Sequence, residues 1–517
     1  MEKYLPHGRA LVLVACLAAG AVFYASGLLN HDPSYLLLAT RRWLHGATLY
    51  RDIMETNPPL IFYLMVPAVV VSEWSGISAS TVFVIMVCIA AGVSVAWCWS
   101  LLSRVTAIPL TTRYVIVAAC FAALIVTPAY NFGQREHEFI ILALPYLIAM
   151  GFRPAGLQPS AREKIALGLF AVLGVALKPH FLIPVVLVSL ALCLQQKSWR
   201  PLYDPANVAI GLGCVVYFIF VAVFHSAYFT TIVPLGADIY NAVADDTANI
   251  PVRSILPLVL IVCVASVGHP APPWRNSLLV FSAALLGLWV VFAIQRKVWD
   301  YQILPFESLA FVVAVIALVL TWRSVRFRPL QFAVFVAVPT LLLGSALRAG
   351  HYDNPYPAEF AARLEQLAPD WRGKSVLVLT TNVSAAFPFI NELGAQWAGR
   401  YPYQWLIAGA RTRESAMHCP TAAKSCGEMK AILDYARRTN VDDLVERTPD
   451  VVLVDERPQK AYLPDEPFDY VTFLSSDPRF RETWRHYKKI DTVLSYDIWL
   501  RVAEESLTTM RRSNNES

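Results

Sequence analysis

Short polar clusters interrupt an otherwise apolar chain, and their residue types suit acid–base and anion-binding chemistry. His31-Asp32-Pro33 follows the first apolar run, and Glu55 stands just before Asn57-Pro58-Pro59. A partly desolvated carboxylate is a good general base, because burial raises its pKa towards working pH. The plainer reading of Asp32 is an N-cap for a helix starting near Ser34, and that of Glu55 a solvated residue ahead of a turn. Gly133-Gln134-Arg135-Glu136-His137-Glu138 is the densest polar run between apolar segments. It holds Glu136 or Glu138 as a further carboxylate, His137 as a polar partner, and Arg135, whose planar donor fork suits a phosphate. A pair of helix-end caps is the competing account. Lys178-Pro179-His180 divides two apolar runs. It is read either as a phosphate ligand or as a lysine reaching back to the interface. Gln295–Tyr301 adds Arg296 and Lys297 beside Trp299, Asp300 and Tyr301, a cationic loop that asks for an anionic partner.

The elements that must carry these clusters are membrane helices. Of 517 residues, 56% are hydrophobic and 16% charged, and the mean hydropathy is +0.48. Soluble domains carry roughly a quarter charged residues. Apolar runs at 10–29, 79–102, 113–130, 137–152, 164–178, 179–195, 206–225, 253–269, 276–295, 306–322 and 329–348 predict about eleven spans. Those at 137–152 and 164–178 are short for a straight crossing. The run 10–29 is long for a cleaved signal peptide and is read as an uncleaved first span. The net charge of +5 is scattered among short loops and gives no nucleic-acid-binding face.

Loop charges set the expected orientation. If 59–74 stays outside as a juxtamembrane helix, Ser103–Arg113, Arg153–Lys164, Gln195–Arg200, Gly268–Arg275 and Thr321–Arg328 all become cytoplasmic, and each carries Lys or Arg. The N-terminus is then cytoplasmic and the C-terminal region outside. Tyr35–Tyr50 is expected to lie along the interface as a second juxtamembrane helix. From about Ala349 the composition turns polar. Pro357–Ala368 reads as an amphipathic helix, Lys374–Thr380 and Pro449–Asp455 as buried strands, and Glu428–Thr439 as a helix between them. The expected organisation is a membrane domain over 1–348, a small α/β domain over 349–509 and a disordered tail over 510–517. Cys419 and Cys426 lie close together in the polar region, and a disulfide follows if that region is extracytoplasmic. Arg400-Tyr401-Pro402-Tyr403 reads as packing this region onto the membrane part or as a contact to an acceptor glycan.

This layout resembles the GT-C superfamily, multi-spanning glycosyltransferases that use lipid-phosphate-linked sugars. The acidic Asp32 beside the first crossing carries the resemblance, with Glu55 ahead of a Pro-led apolar helix, as in the aminoarabinose transferases of lipid A. The resemblance covers the layout of residues 1–348. It implies a polytopic α-helical membrane protein with an extracytoplasmic α/β domain, in the inner membrane of a bacterium. The implied activity is transfer of a sugar from a polyprenyl phosphate to the hydroxyl of a lipid, glycan or protein acceptor, without an obligatory metal. Asp32 takes the place of the base, and Glu55 and Glu136 position substrates. His31, Arg135, His137, Lys178, His180, Arg296, Lys297 and Tyr301 bind substrate or phosphate. The rival readings are a lipid or solute transporter, a polymerase or ligase using a diphosphate-linked glycan, and a membrane scaffold. A transporter would carry charges at mid-membrane and inverted repeats. The clusters here sit at span boundaries, and no repeat is visible.

Overall fold

The computed structural model describes residues 5–24, 27–243, 271–321 except 298, and 351–502 except 368–369, 420–423 and 465–466, with isolated positions between 259 and 347. The predicted spans at 253–269 and 329–348 and the tail at 510–517 fall largely or wholly outside the described residues.

The chain is mostly helical and forms two compact units. The first holds the described residues of Met1–Asn30, Asn57–Phe224 and Asp245–Tyr352. The second holds those of His31–Thr56, His225–Ala244 and Asp353–Ser517. Each unit is thus built from three separate stretches of the chain.

In the first unit the helices are α1 (Leu5–Tyr24), α3 (Leu60–Ser75), α4 (Ala79–Ser103), α5 (Leu110–Ile125), α6 (Arg135–Gly151), α7 (Ala161–Val175), α8 (Leu182–Gln196), α9 (Pro205–Phe224), Pro272–Gln295 and Asp300–Thr321. Among the described residues, five helices are long and apolar enough to cross a membrane, and the chain is read as a multi-pass membrane protein. α3 buries Ile61, Phe62, Met65, Ala68, Val69 and Ser72, one face at helical spacing, and leaves Trp74 exposed. Its first amide, that of Leu60, donates to the Tyr217 hydroxyl on α9 at 2.9 Å, replacing an intrahelical partner that a helix start lacks. α6 is the hub, with every residue from Arg135 to Gly151 buried. Small residues let the helices close together. A Cβ added at Gly168 on α7 would stand 2.4 Å from the Ala206 carbonyl oxygen of α9.

The second unit has a five-stranded sheet of order β2-β1-β3-β5-β4, with β1 at Ser375–Leu379, β2 at Gln396–Trp397, β3 at Val451–Asp455, β4 at Tyr487–Val493 and β5 at Tyr496–Arg501. β1 runs parallel to β2 and β3, whereas β5 is antiparallel to β3 and β4. β3 is buried at all five positions, as its unbroken apolar run requires. Tyr356–Leu367 forms a helix close to the expected bounds, whereas the helix expected over 428–439 runs from Lys424 to Arg447, four residues earlier and eight later.

Two segments distant in sequence complete this unit. α2 (His31–Leu44) buries Pro33 to Thr40, and Tyr35 packs edge-on against Phe387 and Trp397. The Met54 amide donates to the Arg400 carbonyl at 2.8 Å, and the Trp405 indole donates to the Met54 carbonyl at 3.2 Å. The Arg42 guanidinium donates to the carbonyls of Gly399 and Asp52 and stacks over Trp397. These bonds tie the two segments into the unit. Arg400 itself is buried and ion-paired to Asp443 at 3.0 Å, and the Tyr401 hydroxyl meets Thr439 at 2.7 Å. Both therefore serve the interior of the unit. Cys419 and Cys426 are joined by a disulfide with Cα atoms 6.0 Å apart.

Candidate functional site

In the first unit the polar run before α6 folds as a tight turn. Gly133 has φ 79°, and a Cβ there would also meet the Phe83 ring at 2.5 Å, so glycine is required twice over. The Gly133 amide donates to His137 Nδ1 at 3.0 Å, and His137 Nε2 donates to the Leu124 carbonyl at 2.7 Å. Both ring nitrogens are thus committed to backbone, and the imidazole is neutral with its proton on Nε2. His137 braces the turn before α6 in this structure.

Glu136 and Glu138 lie in the first turn of α6, where the helix dipole favours negative charge. Glu136 is fully buried, and its Oε1 accepts from Lys178 Nζ at 2.6 Å. Lys178 Nζ also donates to Gln295 Oε1 at 3.3 Å and lies 5.6 Å from the centre of the Tyr301 ring. Three predicted residues from α6, the α7–α8 junction and the start of the helix Asp300–Thr321 thus meet at one ammonium group. Burying two charges is costly, and a close, hydrogen-bonded pair is the arrangement that offsets it. Glu136 Oε2, Glu138 Oε2 and His180 Nε2 have no protein hydrogen-bond partner among the described residues. Such atoms ask for a polar ligand or solvent. Arg135 is buried on the same turn. Lys297 is buried with its ammonium 4.9 Å from the Trp299 ring, whereas Arg296 is exposed. Gln295, the residue that shares Lys178, carries no charge and gave no sequence signal beyond its place beside Arg296.

In the second unit His31 and Asp32 open α2. The helix starts at His31, so Asp32 sits in its first turn and is not the N-cap that the plainer reading required. His31 Nε2 is 3.6 Å from Asp32 Oδ1, and His31 Nδ1 is 3.4 Å from Ser384 Oγ. The Asp32 carboxylate keeps about a fifth of its surface (19%), enough for solvent or substrate to reach it. Glu55 is buried at 5% exposure, and its Oε1 accepts from the Thr56 hydroxyl at 3.3 Å. A turn of π-helix, Tyr228–Ile232, brings Tyr228 within electrostatic reach of Glu55. Burial first, and then the Glu55 charge, push the Tyr228 hydroxyl up to about 12.

No protein-family model and no curated protein matches this chain by sequence. Solved structures do match. ArnT from Cupriavidus metallidurans, crystallised with undecaprenyl phosphate, superposes over 96% of this chain and 97% of its own, with a TM-score of 0.57 at 14% identity. The arabinofuranosyltransferase AftD from Mycobacteria matches over 98% of this chain and 40% of its own, with a TM-score of 0.48 at 12% identity. The likeness to ArnT spans nearly the whole of both chains, and this chain accordingly shares the fold of ArnT.

Proposed function

We propose that this protein transfers a sugar from a polyprenyl-phosphate donor to an acceptor hydroxyl at the outer face of a bacterial inner membrane. The observation that carries the proposal is the end-to-end likeness in fold to a protein crystallised with undecaprenyl phosphate. The acceptor oxygen attacks the anomeric carbon while Asp32 takes its proton. The bond from that carbon to the phosphate oxygen breaks, and the electron pair leaves with the polyprenyl phosphate. Lys178, assisted by Arg135 and Lys297, supplies the cationic charge that stabilises the leaving group. His180 and the exposed Arg296 are further donors for it. Glu136 acts through Lys178 by holding its ammonium, and Tyr301 lines the same cation. Glu55 positions substrate, and His31 steadies the Asp32 carboxylate. The N-terminus is cytoplasmic in this reading, and residues 349–509 are periplasmic.

The test is turnover of polyprenyl-phosphate pentoses and hexoses by purified protein in lipid nanodiscs, with Asp32→Asn beside wild type. Turnover that disappears in Asp32→Asn while the variant still binds undecaprenyl phosphate supports the assignment. Turnover that survives removes Asp32 as base. A wild type that binds no polyprenyl phosphate overturns the donor class.

A further inference from the structure

Around Glu55 the second unit assembles aromatic rings that the roles above do not use. Trp43, near the end of α2, is 6.3 Å from His225, ring centre to ring centre, at 63°. Tyr50 is 6.4 Å from His225 at 88°, and 5.3 Å from Tyr228. Tyr50 is buried at 3% exposure, whereas Trp43, His225 and Tyr228 are each half-buried. Three of the four rings therefore keep accessible surface. A sealed aromatic core would leave none of its rings accessible.

Its backbone is specialised at both ends. Tyr50 has φ 69°, a left-handed conformation that is unfavourable for a bulky residue, and its amide is held by the Ile53 carbonyl at 2.8 Å. Tyr228 opens the π-helical turn, an irregularity found frequently at functional sites. Both irregularities bear on how these rings are aimed.

We infer that Trp43, Tyr50, His225 and Tyr228, beside the Glu55 carboxylate, form the subsite for the sugar ring of the donor. The chemistry selects that occupant. Sugar rings present weakly positive C–H faces, which suit the negative faces of aromatic rings, and a rim of hydroxyls, which needs donors and acceptors. Each of these rings has a polar edge (indole N–H, phenol or imidazole), and the buried Glu55 carboxylate lies within electrostatic reach of Tyr228. A polyprenyl tail would need an aliphatic lining and would gain nothing from those edges. A few placed polar groups among aromatic walls is the usual make-up of a small-ligand site. Tyr228 then holds a sugar hydroxyl from one side and Glu55 from the other.

This inference rests on the polyprenyl-phosphate reading, and one titration separates the two. Full-length protein in nanodiscs is titrated with undecaprenyl phosphate and with undecaprenyl-phosphoryl glucose, mannose and 4-amino-4-deoxyarabinose. Wild type is expected to bind at least one glycosylated lipid more tightly than the bare phosphate. Tyr228→Phe and Trp43→Ala should each reduce that preference ~5- to 10-fold, leaving the affinity for bare undecaprenyl phosphate within about twofold. Trp43→Phe is the substitute if Trp43→Ala does not fold. Equal affinity of wild type for bare and glycosylated lipid overturns the subsite. So do variants that weaken both ligands alike, or neither. A wild type that binds none of the four lipids overturns the donor reading, and the subsite with it.

Discussion

Replacing Lys178 by methionine leaves the Glu136 carboxylate fully buried with neither oxygen satisfied. Oε1 loses its 2.6 Å partner, and Oε2 has no protein hydrogen-bond partner among the described residues. Breaking one side of a buried pair costs about 3–5 kcal/mol. At about 1.4 kcal/mol per tenfold, that lowers the folding equilibrium roughly 10²- to 10³-fold or more. Replacing both partners, as in Lys178→Met with Glu136→Leu, removes the uncompensated charge and should restore most of the loss, since apolar isosteres of buried pairs are often neutral or better. Transfer behaves differently. On the proposed function the double variant lacks the cation for the leaving phosphate, so it should fold while remaining inactive. The assay is denaturant unfolding of purified protein in detergent, run beside turnover and undecaprenyl-phosphate binding. If Lys178→Met is as stable as wild type, Glu136 is not held by Lys178 alone and the ion-pair argument fails. If the double variant keeps full turnover, Lys178 has no part in stabilising the leaving group.

Gly168→Val should destabilise the first unit by about 1–3 kcal/mol, because its Cβ would meet the Ala206 carbonyl oxygen at 2.4 Å; thermal unfolding of the purified variant checks it. Arg400→Met should cost about 1.5–3 kcal/mol at pH 7.5, because it strips the buried Asp443 of its 3.0 Å partner but leaves Arg447 at 3.3 Å and the backbone amide of residue 400 in place. Burial already holds the Asp443 pKa above its ordinary value of 3.8, opposed by Arg447 and Arg400. A carboxyl raised in the folded state binds its proton more tightly there, so its contribution falls as pH rises from the unfolded value through the folded one. The Arg400→Met deficit should therefore shrink on acidification towards pH 5, and a deficit independent of pH between 5 and 8 refutes the account. Reducing Cys419–Cys426, which closes a short loop of sequence separation 7, should cost about 2–3 kcal/mol and lower the melting temperature.

The sequence displays what is local. β3 is visible as Val-Val-Leu-Val after Pro449-Asp450, because a fully buried strand must be continuously apolar. Glu136 and Lys178 stand out because charge beside apolar helices demands a partner, and each supplied the other's. The role of His137 was not legible, since it depends on the Leu124 carbonyl thirteen residues earlier and on a turn made by Gly133. The β4–β5 hairpin escaped notice because its edge strand, Tyr487–Val493, alternates poorly and carries Lys488, Lys489 and Asp491. Edge strands are charged for their own protection, which erases the hydrophobic signal. The aromatic group at Glu55 was hidden for a further reason. Its members come from two segments separated by most of the first unit's helices, and no spacing rule connects them.

The bond from the Met54 amide to the Arg400 carbonyl also bears on the order in which the protein is made. Its two ends are about 350 residues apart in the chain, and synthesis at 5–20 residues per second separates their appearance by roughly 20–70 s. Through that interval the segment carrying Asp32 and Glu55 exists without the strands and helices that fix it. The carboxylates become a defined constellation only when the final third of the chain arrives. A ribosome that stops after Tyr352 leaves the apolar helices made and the segment carrying Asp32 and Glu55 without the partners that hold it.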